Sequence, residues 1–151
     1  MAVNYRPEGY ADVTASFVVD GADSVVDFTT QVLGARERFN MRTPDGKIGH
    51  AELEIGDSVI FISEASSSDQ GVHMPGVVNV YVQNVDATYQ KALGAGGKSL
   101  REPQTMFYGD RSAGVQDGAG NQWWFATHVE DVPPQEMEQR MKEWEAQQQQ
   151  G

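Results

Sequence analysis

Three histidines, His50, His73 and His128, and no cysteine set the chemistry open to this chain of 151 residues. Without cysteine there is no disulfide, no thiolate metal site and no cysteine nucleophile. His50 and Glu52 stand two apart, a spacing that on a strand puts both side chains on one face. An imidazole beside a carboxylate can serve as general acid and base. A plainer reading has Glu52 tie down a neighbouring backbone group or arginine while His50 ends a strand, and this is the expected one. A metal site assembled from His50, Glu52 and His128 is a third reading. His73 lies in a polar stretch and is expected in solvent.

The densest run of functional side chains is Met106 to His128, MFYGDRSAGVQDGAGNQWWFATH. Asp110 and Arg111 are expected to pair with each other and fix a loop, with ligand contact as the alternative. Trp123 and Trp124 are consecutive, so on a strand one faces the helices and the other the opposite side.

The balance of 11 basic against 22 acidic residues gives a net charge of -11. That argues against nucleic acid, whose affinity comes largely from Lys and Arg on phosphates. The field would favour a cationic ligand, although solubility explains it as simply. No apolar run approaches the roughly 20 residues of a membrane span, and the N-terminus lacks a charged-then-apolar signal pattern. A soluble cytoplasmic protein without membrane contact is the expectation.

The elements that must position these residues follow from period and punctuation. Residues 1–12 read as an extended arm, broken by Pro7 and Gly9. Val13–Asp20 is a strand with Phe17 and Val19 on one face and Thr14, Ser16 and Val18 on the other. A helix over Asp23–Leu33 buries Val25, Val26, Phe28, Val32 and Leu33 and stops at Gly34. Strands Arg36–Arg42, Ile48–Ile55 and Ser58–Ser63 follow, separated by Thr43-Pro44-Asp45-Gly46 and Gly56-Asp57. Residues 65–75 are a linker. Val77–Gln83 is the next strand, Asp86 caps a helix ending near Leu93, and strands cover Lys98–Gln104, Ser112–Gln116 and Gln122–Thr127. Leu-Gly-Ala closes each helix, at 33–35 and 93–95, which points to an internal duplication. The fold class is therefore α+β: a single domain, 1–151, of two βαβββ repeats over 12–64 and 76–128, with a helical tail over 130–151. In the tail, Met137, Met141 and Trp144 form an apolar stripe suited to its own domain or a second subunit.

With both repeats in place, the chain resembles the vicinal oxygen chelate superfamily, the glyoxalase/bleomycin-resistance/extradiol-dioxygenase fold, and within it a PhnB-like, glyoxalase-like branch. The resemblance covers about residues 5–140. It rests on Tyr5-Arg6-Pro7-Glu8-Gly9-Tyr10, Asp27-Phe28 with Leu33-Gly34-Ala35, Pro44-Asp45-Gly46-Lys47-Ile48-Gly49-His50-Ala51-Glu52-Leu53, and Ile55-Gly56-Asp57-Ser58. It continues in Tyr108-Gly109-Asp110-Arg111 and Gly120-Asn121-Gln122-Trp123-Trp124 through Ala126-Thr127-His128.

The resemblance implies curved half-barrel sheets holding a ligand in a concave cleft. It also implies that metal ligands, in the enzymes that use them, come from the first and last strand of each repeat. Those four positions map near Thr14, Phe61, Val77 and Trp124. Thr14 is a poor neutral ligand and the other three have no donor atom, so a glyoxalase I or extradiol dioxygenase mechanism and any metal cofactor are not expected. The implied protein is a homodimer that binds a small molecule without metal, as drug- or metabolite-sequestering members do. Thr14, Phe61, Asn79, Tyr81, Phe107, Tyr108, Arg111 and Trp124 form its aromatic cleft. A metal-free, or rebuilt-site, lyase, isomerase or biosynthetic enzyme using His50 and Glu52 is the alternative.

Overall fold

The computed structural model describes residues 2–69 and 71–151. In chain order the elements are β1 (Ala15–Val19), α1 (Ala22–Leu33), β2 (Arg36–Arg42), β3 (Ile48–Ile55) and β4 (Ser58–Glu64). After a short 3-10 turn at Ala65–Ser67 come β5 (Val77–Tyr81), α2 (Val85–Gly94), β6 (Lys98–Thr105), β7 (Asp110–Gln116), β8 (Gln122–His128) and α3 (Pro134–Gln149). The strands form two mixed four-stranded sheets, ordered β1-β4-β3-β2 and β5-β8-β7-β6. In each, the first strand runs parallel to the last strand of its repeat and the other neighbours are antiparallel. A parallel pair cannot be closed by a hairpin, which is why a helix and two further strands intervene.

Local chemistry explains the boundaries. In α1, Val25, Phe28 and Val32 recur at helical spacing and are buried. Gly34 then ends the helix in the left-handed conformation, φ 65°, where its N–H reaches the Thr30 carbonyl. The cap of α2 is Asn84, whose side chain accepts from the Ala87 N–H, rather than the expected Asp86. Asn84 has the extended backbone a cap requires, while Asp86 sits inside the first turn and bonds Arg111 instead.

Both repeats share one core. Trp123 of β8 is wholly buried and stacks on Phe17 of β1 at 5.7 Å between ring centroids, with Phe28 of α1 at 5.9 Å. Its indole N–H donates to Asp117, which also holds the backbone of Ala119 and Asn121, so the turn after β7 is wired into the interior. Aromatics buried to this degree contribute about 2–3 kcal/mol each. The linker is anchored, since the Met74 N–H bonds the Val18 carbonyl at 2.7 Å. His73 is exposed, as expected, and its Nδ1 also accepts from the Asp20 N–H at 2.8 Å. The tail packs on its own chain, with Trp144 5.6 Å from Phe107 and Arg140 bonding Glu130, Glu136 and the Phe107 carbonyl. No described helix is long and apolar enough to cross a membrane.

Candidate functional site

Strand register lays two rows of side chains across the faces turned away from the helices. In the first sheet, Phe39, Glu52, Phe61 and Ser16 stand side by side from β2 to β1. In the second, Arg101, Gly114, Trp124 and Asn79 stand in the same order from β6 to β5. Bulges occur at equivalent places in β2 and β6, between Glu37 and Phe39 and between Ser99 and Arg101, so the duplication extends to the irregularities.

The first row is occupied by the chain's own arm. Glu52, only 8% exposed, accepts a short hydrogen bond from the Tyr10 hydroxyl. It also accepts one from His50 Nε2 at 2.8 Å. A carboxylate has only acceptors to offer, so Nε2 carries the proton. Burial alone would raise the Glu52 carboxyl, but the bonds from Tyr10 and His50 outweigh it and leave the group below the usual glutamate range. The bond to Glu52 in turn pushes the Tyr10 hydroxyl up. Arg38 lies over the Tyr10 ring at 4.6 Å and donates to the Gly9 carbonyl, while Arg6 and Tyr5 both bond Asp12. A cleft of about 490 Å³ lies between this arm and Thr14, Glu52 and Phe61. His50 meets Phe61 edge-on, 4.8 Å between centroids.

The second row is open. A Cβ on Gly114 would fall 2.6 Å from Cε3 of Trp124, so the indole lies flat over β7 only because position 114 has no side chain. Thus extended, the ring meets Arg101, whose guanidinium carbon is 5.0 Å from its centroid. Arg101 donates through Nη2 to the Ser112 hydroxyl, and its buried Nε has no partner. At the rim, Tyr81 donates to Asp110 at 2.8 Å, His128 Nδ1 bonds the other Asp110 oxygen at 2.8 Å, and His128 Nε2 bonds Asp131 at 2.7 Å. Two carboxylates on two ring nitrogens favour the imidazolium, and these bonds, that to Asp110 first, raise the His128 pKa. Asn79, Tyr81, Arg101, Tyr108 and Trp124 surround a cleft of about 630 Å³.

The residues expected to share one cleft are thus divided. Thr14, Glu52 and Phe61 line the cleft beside the first sheet and His50 a neighbouring pocket there; Asn79, Tyr81, Tyr108 and Trp124 line the cleft beside the second. Phe107 turns to Trp144, and Arg111 forms a two-pronged ion pair with Asp86 at 2.8 and 2.9 Å instead of pairing with Asp110. Tyr10, Arg101, Gly114 and the Asp110–His128 pair were not singled out as site residues. Of these only Gly114, a lone glycine inside a strand, carried a local signal of close approach.

The model of the Glyoxalase/Bleomycin resistance protein/Dioxygenase superfamily matches residues 12–125. The chain belongs to that superfamily. An uncharacterized protein of Mycobacterium bovis is 31% identical over 150 residues, covering 93% of this chain and 96% of that one. The crystal structure of TioX from Micromonospora sp. ML1 superposes with a TM-score of 0.67 at 25% identity, covering 79% of this chain and 99% of its own. A lactoylglutathione lyase from Agrobacterium tumefaciens, at 16% identity and TM-score 0.59, covers 80% of this chain and 94% of its own and shares the fold.

The four positions that the resemblance assigns to metal ligands, Thr14, Phe61, Val77 and Trp124, carry side chains poor in donors. Thr14 and Phe61 line the first cleft and Val77 and Trp124 the second, so the two pairs of positions offer one hydroxyl between them. Among the described residues no three His, Cys, Asp or Glu side chains converge to hold a metal ion. His50 and Glu52 lie on β3 and His128 on β8, in different sheets.

Proposed function

We propose that this protein is a metal-independent small-molecule-binding member of the superfamily, suited to sequestering a drug or metabolite on the concave face of its second sheet. The observation that carries this reading is the Trp124 ring laid across Gly114, with Tyr81, Tyr108 and Arg101 around about 630 Å³ of open space. A cleft of that size, with several rings and few polar anchors, is the usual makeup of a small-ligand site. Metal independence is supported by the donor-poor side chains at Thr14, Phe61, Val77 and Trp124. Tryptophan fluorescence titrated with a panel of small aromatics tests the reading: Trp124→Ala is expected to abolish quenching, and quenching that survives intact would assign the ligand elsewhere. Metal analysis of the purified protein is expected to find no stoichiometric divalent ion.

A second copy of the chain is part of this reading. Phe39 and Met41 of β2 are half exposed, apolar side chains at a sheet edge that a homodimer would cover. Sedimentation of the full chain is expected to give a dimer. The 2.8 Å contact of His50 with Glu52 favours a second reading, a metal-free enzyme using that pair. Glu52 already accepts two bonds and is held ionised, which suits an anchor better than a base. Loss of turnover in His50→Ala with ligand binding retained would promote the enzyme.

A further inference from the structure

Arginine in this chain is mostly consumed by carboxylates. Of seven arginines, Arg6, Arg36, Arg42, Arg111 and Arg140 form ion pairs with Asp or Glu. Arg38 covers the arm's Tyr10 and bonds the Gly9 carbonyl. Arg101 is different. Among the described residues its only hydrogen bond goes to the neutral Ser112 hydroxyl, and its Nε is buried without an acceptor. An acidic protein that leaves one partly buried guanidinium without a carboxylate, inside a cleft of about 630 Å³, has left a charge for something else to satisfy. The one carboxylate lining that cleft, Asp110, is already held by Tyr81 and by His128.

We infer that Arg101 is the specificity-determining residue of the second cleft and that the cleft selects a flat aromatic carboxylate. The inference rests on the small-molecule reading above and adds the ligand's class. The guanidinium presents planar N–H donors that match a carboxylate. Trp124 orients it from one side and excludes water there, which strengthens its attraction for an anion. Ser112 holds Nη2 and Nε is buried, which leaves Nη1 to meet the ligand. The ring of the ligand then lies among Trp124, Tyr81 and Tyr108, and Asn79 closes the far end of the row. A monoanion fits better than a dianionic phosphate. One cation neutralises one charge, and a second would stand uncompensated in the field of a protein carrying -11.

The test compares three probes of one shape on the full chain by calorimetry at moderate salt: 2-naphthoate, naphthalene-2-carboxamide and 2-naphthylmethylammonium. The expected order is naphthoate first, roughly tenfold or more tighter than the carboxamide, with the ammonium weakest. Arg101→Gln is expected to remove the preference, so that naphthoate and the carboxamide bind with equal affinity. Arg101→Lys keeps the charge without the fork, and is expected to retain only part of the preference; it also serves if the Gln variant does not fold. Equal affinities in the unaltered protein, a preference for the ammonium, or a naphthoate preference that survives in the folded Arg101 variants would each overturn the inference. Trp124-dependent binding without charge preference would sink this inference alone; failure of all three probes to bind would sink it together with the small-molecule reading.

Discussion

Repeat one places Phe39, Glu52, Phe61 and Ser16 across its sheet, and repeat two places Arg101, Gly114, Trp124 and Asn79 at the equivalent points. The backbones match down to the bulge. The difference lies in the second member of each row. Glu52 stands upright and captures Tyr10 from the N-terminal arm, so the first face is lined by the chain itself. Gly114 stands aside, and the space it leaves is taken by the indole of Trp124, which keeps the second face flat and open. One position, glutamate or glycine, thus separates a face whose cleft is walled by the chain's own arm from a face whose cleft is walled by the sheet and its loops.

The comparison can be broken from either side. The largest effect is expected from Gly114→Ala. Its methyl group must displace the Trp124 ring or bend β7, and overpacking of this kind costs about 1–3 kcal/mol. Urea denaturation measures the loss, and a changed near-ultraviolet signal would show the indole displaced. An unchanged protein would mean that Gly114 does not set the ring's position.

Glu52→Ala is expected to cost somewhat less, about 1–2 kcal/mol, because it leaves the Tyr10 hydroxyl and His50 without their common acceptor. The same tie responds to acid. Glu52 is held below its ordinary range when folded, so its stabilisation is present above the unfolded glutamate pKa and is lost as pH falls through the lower folded value. Limited proteolysis of the arm should accelerate in that acidic window and, in Glu52→Ala, at neutral pH as well. Tyr10→Phe, a smaller change, is expected to loosen the arm with little effect on global unfolding, because Arg38 and Gly9 still hold it.

The smallest effect concerns the rim of the open face. His128 is raised by Asp110 and Asp131, so its contribution is complete below its ordinary value and disappears as pH rises through the higher folded one. Proton titration of its ring by NMR is expected to show the raised midpoint, and Asp110→Asn to bring it down. A midpoint at the ordinary imidazole value would remove the Tyr81–Asp110–His128 chain from the account.

Much of this architecture was legible in the sequence. Arg36–Arg42 and Ile48–Ile55 match β2 and β3 because turn residues bracket them, and Gly34 ends α1 as its position suggests. Alternation put Trp123 and Trp124 on opposite faces and the resemblance put Trp124 on the cleft side; Trp123 is wholly buried in the core and Trp124 is only half-buried. The site was less legible for physical reasons. The bulge before Arg101 shifts the phase of β6, so alternation along that strand could not place its side chain over Trp124. Tyr10 reaches Glu52 across 42 positions of chain, a contact no local pattern encodes. Asp110 and Arg111, neighbours in sequence, point to opposite faces of β7, which is why each found a different partner.

The most direct test of the account is a pair of truncations read by one titration. Trp124→Ala and Phe61→Ala remove the equivalent rings of the two rows, and 2-naphthoate binding to each is measured by calorimetry. The account predicts that Trp124→Ala abolishes measurable binding while Phe61→Ala leaves affinity within about twofold of the unaltered protein. Binding that survives in Trp124→Ala and is lost in Phe61→Ala would place the ligand on the first face and contradict it.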